Sequence, residues 1–127
     1  MTEGSLLETI DIAKKIVDAA LERQASDILL LDLHGVCSFA DYFVICSGES
    51  DRQLKAIVEE IDQTLAKEGI SPRRHQGSVS SGWLIIDLGD IIVHIFSAEQ
   101  REFYALEELW GDAVITSVDS NVSVKTL

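Results

Sequence analysis

A chain of 127 residues, 46% of them hydrophobic, is long enough to bury one core and too short to build two. Its 22 Asp and Glu against 10 Lys and Arg leave a net charge of -12, which argues against broad docking on nucleic-acid phosphates and favours a basic protein surface as partner. No apolar run approaches the ~20 residues that span a bilayer, and the start, MTEGSLLETIDIAKK, lacks the basic and apolar regions of a signal peptide. A cytoplasmic protein without membrane contact is expected, with Cys37 and Cys46 as reduced thiols.

Taken in chain order, Ser5 and Glu8 have capping-box spacing ahead of Ile10, Ala13, Ile16, Val17, Ala20 and Leu21, which predicts an amphipathic helix over 6–23. ILLLDL (28–33) and YFVICS (42–47) read as strands apolar on both faces, so they belong in the middle of a covered sheet. Gly35 is the expected left-handed position between them. Ser50 and Gln53 open a second helix over 51–68, with an apolar stripe at Leu54, Ile57, Val58, Ile61 and Leu65, a Gly69 stop and Pro72 beyond. A strand is expected over 71–76, completing a βαβ unit, and RRHQGSVSSG (73–82) reads as a polar loop. The fold class is therefore α/β, a single domain with a mixed sheet flanked by helices.

Gly89-Asp90 separates two strands, 83–88 and 91–96, and suits a two-residue hairpin turn. The register that follows pairs Leu88 with Ile91, Ile86 with Val93 and Leu84 with Ile95 on one aliphatic face. Asp87 pairs with Ile92, Ile85 with His94 and Trp83 with Phe96 on the other. The second face is also largely apolar, so more of the chain or a partner must cover it. Ser97 and Gln100 then open a helix over 98–110 whose Phe103, Leu106 and Trp110 form its apolar stripe, with Phe103 and Trp110 expected to close the core. Residues 1–113 make up the domain, and 114–127 are expected to be a flexible C-terminal tail, with a short edge strand as the alternative.

Catalytic chemistry finds little footing. Asp32, Asp87 and Asp90 lie in apolar surroundings, but no closely spaced carboxylate pair marks a divalent-metal site on a strand. His34, His75 and His94 lack a second ligand at metal-binding spacing, and His94, alternating with aliphatics, reads as a hydrogen-bonded structural histidine. Gly48-Glu49-Ser50 ahead of a helix reads as a tight turn and N-cap rather than a phosphate site, since Glu49 would repel the anion. No catalytic residue, metal or cofactor is expected.

ASDILLLDL, SFADYFVICSGESDRQ, GWLIIDLGDIIVHIF and REFYALEELWGDA resemble, block by block and in order, the Iojap-related ribosomal silencing factors. That resemblance implies a nucleotidyltransferase-like fold without its catalytic carboxylates. It further implies binding to the large ribosomal subunit through the ribosomal protein fourteenth in the large-subunit series, with steric blocking of small-subunit joining and repression of translation. Little direct contact with nucleic acid is expected, and association as a homodimer is a second use for the same surface. The alternative is a nucleotidyltransferase-like nucleotide-binding enzyme. The expected docking surface comprises Trp83, Ile85, Asp87, Leu88, Asp90, Arg101 and Tyr104, because aromatic residues and Arg anchor protein interfaces and the carboxylates suit a basic partner.

Overall fold

A computed structural model of the chain describes residues 8–111, 113–119 and 122–126. The described residues form a sheet of seven strands in the order β3-β4-β5-β2-β1-β6-β7. The strands are β1 (Ser26–Asp32), β2 (Tyr42–Gly48), β3 (Arg74–Ser78), β4 (Trp83–Asp87), β5 (Ile91–Ser97), β6 (Val114–Asp119) and β7 (Val122–Thr126). Only β2 and β5 pair in parallel; every other neighbouring pair is antiparallel. β2 is buried along its whole length, as a strand apolar on both faces requires.

Helices α1 (Thr9–Glu22) and α2 (Asp51–Lys67) cover one face. Ile16 and Val17 of α1 and Leu54, Ile57, Ile61 and Leu65 of α2 pack there against Val44, Cys46, Ile86, Val93 and Ile95. Each fully buried aliphatic side chain in this layer contributes about 1.5–3 kcal/mol of transfer free energy. α1 is capped by Glu8, whose N–H donates to Asp11 Oδ2 at 3.1 Å; the Ser5 cap lies outside the described residues. The α2 cap is as expected, with Gln53 N–H donating to Ser50 Oγ at 3.1 Å. The same glutamine binds the two helices together, since its Nε2 donates to the carbonyls of Arg23 and Gln24 at 3.0 and 2.9 Å.

The β4–β5 hairpin has the expected register, from Trp83 opposite Phe96 to Asp87 opposite Ile92, and Leu88 N–H closes the turn on the Ile91 carbonyl at 2.9 Å. Gly89 takes φ +90°, the left-handed region that a glycine enters without steric cost. Three expectations are corrected. The strand expected over 71–76 lies further along, at Arg74–Ser78, so the polar run after Pro72 is not a loop throughout: β3 forms the sheet edge against β4, which offers it a full ladder of backbone partners. The single helix over 98–110 is two, α3 (Ala98–Tyr104) and α4 (Leu106–Leu109), because Ala105 adopts φ +44° and breaks the ladder. α3 buries its Arg101 side, so Phe103 stands 74% exposed and does not close the core.

The third correction concerns the expected tail, which adds β6 to the outer edge of β1 and β7 beyond it. The physical reason is that β1 would otherwise present an unpaired backbone edge beside buried leucines, and Ile115 joins the apolar layer on that side. Cys37 and Cys46 are unpaired thiols, and burial pushes Cys46 up to about 12.

Candidate functional site

The second face of the hairpin is partly covered by the chain itself. Leu31, Leu33, Phe43, Ile45 and Phe96 form a smaller apolar layer there, and Leu106 and Trp110, delivered by α4, pack onto it. Trp110 meets Phe43 edge-on at 5.6 Å and Phe39 at 6.1 Å. Between α4 and the β4 and β5 strands the cover stops short, leaving a groove of about 320 Å³. Its walls are Phe39, Phe43, Trp83, Ile85, Ile92, Leu106, Leu109 and Trp110, with Gln76, Asp87 and His94 as the polar members. Phe39 and Leu109 stand on the rim at 61% and 73% exposure. So much apolar surface facing solvent is the usual mark of an interaction site.

Within the groove the polar groups are mostly committed. Asp87 Oδ1 accepts from Gly89 N–H at 2.8 Å and Oδ2 lies 3.6 Å from Arg74 Nε. Trp83 stacks on Phe96 at 5.0 Å, contacts Tyr104 at 4.6 Å, and donates its indole N–H to His94 Nδ1 at 3.2 Å. His94 is therefore hydrogen-bonded within the structure, as its strand position predicts, and burial pushes its pKa down to about 4.

The seven expected docking residues do not share one surface. Trp83, Ile85 and Asp87 line the groove, and Tyr104, 43% exposed, lies over Trp83. Leu88 and Asp90 stand on the helix-covered side, near Thr9, Ile12 and Ile70, because the turn places them out of phase with the groove face. Arg101 is buried, its Nε donating to Glu107 Oε1 at 3.3 Å, so it ties α3 to α4 and lies off the groove. Phe39, Phe43, Ile92, Leu109 and Trp110 were missed as members. Their signal was present for Ile92, which the register already placed beside Asp87, but Leu109 reaches the rim only through the break at Ala105.

Other constellations do not assemble a reaction centre among the described residues. His34 Nδ1 lies 2.6 Å from Asp32 Oδ1 and its Nε2 3.5 Å from Asp41, and the bond to Asp32 raises the imidazole pKa. His75 is paired with Asp62 at 2.9 Å. At the start of α2 the N–H groups of Glu49 and Gln53 are taken by Gln53 Oε1 and Ser50 Oγ, leaving neither donor for an anion. No group of three or more chelating side chains is found among the described residues, and no described helix is long and apolar enough to cross a membrane.

The chain is thus an α/β sheet domain with an aromatic-walled groove on one face. Comparison with known proteins assigns its family: residues 7–126 match the model described as ribosomal silencing factor during starvation, so the chain belongs to the ribosomal silencing factors. The match extends through the strands beyond residue 113. A Bacillus subtilis relative named ribosomal silencing factor RsfS is 43% identical over 106 residues, covering 83% of this chain and 90% of the relative. A mouse protein named mitochondrial assembly of ribosomal large subunit protein 1 is 32% identical over 98 residues, covering 75% of this chain and 43% of that protein. A crystal structure of a Chromobacterium violaceum protein superposes with TM-score 0.79 at 30% identity, covering 83% of this chain and 88% of that one.

Proposed function

We propose that this protein binds the large ribosomal subunit through its ribosomal protein fourteen and, by occupying the face that receives the small subunit, blocks subunit joining and represses translation in the cytoplasm. The observation that carries this reading is the apolar groove between β4, β5 and α4, whose rim residues Phe39 and Leu109 are largely exposed although the chain has a packed core elsewhere. A net charge of -12 favours a basic ribosomal protein over RNA as the docking surface. Steric exclusion needs no turnover, metal or cofactor, and the engaged N–H groups at the α2 start weigh against the nucleotide-binding alternative. The family name supports ribosome silencing in general, and the mouse relative's name supports the large subunit.

The test is a sucrose-gradient assay of subunit joining with purified large subunits and the Leu109→Ser and Phe39→Ser variants. Both positions are exposed, so folding should be spared. Loss of a hot-spot contact costs about 2 kcal/mol, close to 30-fold in affinity, and joining should recover accordingly. Wild-type blocking by the double variant would overturn the assignment of the groove, and a wild-type protein found as a dimer that leaves joining unchanged would replace docking with self-association.

A further inference from the structure

We propose that His94, on the floor of the groove, is its polar recognition point, and that its Nε2–H receives a backbone carbonyl oxygen from the docked protein. This rests on the docking function proposed above. An indole nitrogen can only donate, so the 3.2 Å contact from Trp83 Nε1 makes His94 Nδ1 the acceptor and leaves the neutral ring's proton on Nε2. That Nε2 is buried and has no hydrogen-bond partner among the described residues. The ring is 6% exposed and is held edge-on to Phe43 at 4.7 Å, so it has little freedom to turn toward water. Buried donors are nearly always matched, and an unmatched one at the wall of a groove points to a partner that arrives from outside.

The chemistry of the walls selects the class of acceptor. Apart from His94, the polar groups that line the groove are Asp87, already engaged by Gly89 and Arg74, and Gln76, which is exposed on the edge strand. A water molecule needs two to four polar partners, and one donor among aromatic rings does not hold it. A carboxylate would be stripped of water close to Asp87, a group of its own sign. A backbone carbonyl is neutral, is available on any polypeptide, and can sit over Nε2–H while a neighbouring aliphatic side chain fills the space between Ile85, Ile92 and Leu109. The rim residues Phe39 and Leu109 are exposed, so the groove is open to a docking chain on that side.

The test is a titration of the ¹⁵N-labelled full chain with isolated large-subunit protein fourteen, following the proton on His94 Nε2. On complex formation that proton should move downfield and exchange more slowly with water; an unchanged signal in a formed complex overturns the inference while leaving the docking function standing. No perturbation anywhere in the spectrum removes both. His94→Phe keeps an aromatic ring and deletes the donor, and it should bind about 10-fold more weakly, about 1.4 kcal/mol, with an unchanged fold by circular dichroism. Wild-type affinity in this variant overturns the inference, and should the variant fail to fold, the wild-type titration decides alone.

Discussion

Trp83→Ala separates the two roles this residue combines, because the same indole that lines the groove also holds the sheet face together. Its ring is half-buried, stacked on Phe96 at 5.0 Å and covered by Tyr104 at 4.6 Å. Truncating a fully buried Trp costs about 3–5 kcal/mol, so a half-buried one loses roughly 2 kcal/mol of packing. The hydrogen bond to His94 adds about 1 kcal/mol. A total of about 3 kcal/mol in a domain of this size lowers Tm by roughly 10 °C. Thermal melting followed by circular dichroism measures this directly. Trp83→Phe, which keeps a stacking ring and loses only the N–H donor, should recover about half of the loss. A Trp83→Ala protein that melts within 2 °C or so of the wild type would refute the stack as a structural element and return Trp83 to a purely interfacial role.

Four further outcomes follow. His94 has a folded pKa of about 4 against an ordinary 6.5, so the unfolded chain binds its proton first, and the stability this residue contributes is full above pH 6.5 and is lost as pH falls toward 4. The loss is of order 3 kcal/mol at most in urea unfolding, and His94→Phe should flatten it. His34 acts in the opposite sense: its pKa is raised by Asp32, so its contribution is present below pH 6.5 and is lost as pH rises through the folded value, with His34→Gln abolishing that dependence. Ala105→Gly should raise stability by roughly 1 kcal/mol in the same assay, because alanine is held at φ +44° where glycine is unstrained; a loss would mean that the Ala105 methyl packs more than it strains. Binding to large subunits should survive moderate salt, and a steep log-log fall in affinity would reveal RNA phosphate contacts instead.

The outcome at α3 and α4 illustrates why some features escaped a linear reading. Ala105 is a strong helix former by propensity, and nothing in its neighbours marks a left-handed break. Tertiary packing decides it. With the break, Leu106 turns inward, the buried Arg101 bridges to Glu107 across the junction, and its Nη1 lies 3.5 Å from Ser47 Oγ in β2. Without it, Leu109 would not stand on the rim of the groove.

Local chemistry in the chain determined the hairpin, its register and the caps of the second helix, because a Gly-Asp turn, a period of two and a Ser-x-x-Gln spacing act over a few neighbouring residues. It also determined that the hairpin has two apolar faces, and therefore that one of them needs a cover. What only the tertiary structure decided is how far that cover reaches. Strand order brings β2 between β5 and β1, the 114–119 segment completes the sheet beside β1, and α4 stops short of Ile85 and Ile92. Each of these depends on residues far apart in sequence competing for the same apolar surface, a contest that periodicity along one segment does not record. The groove and the unmatched proton of His94 are products of that contest.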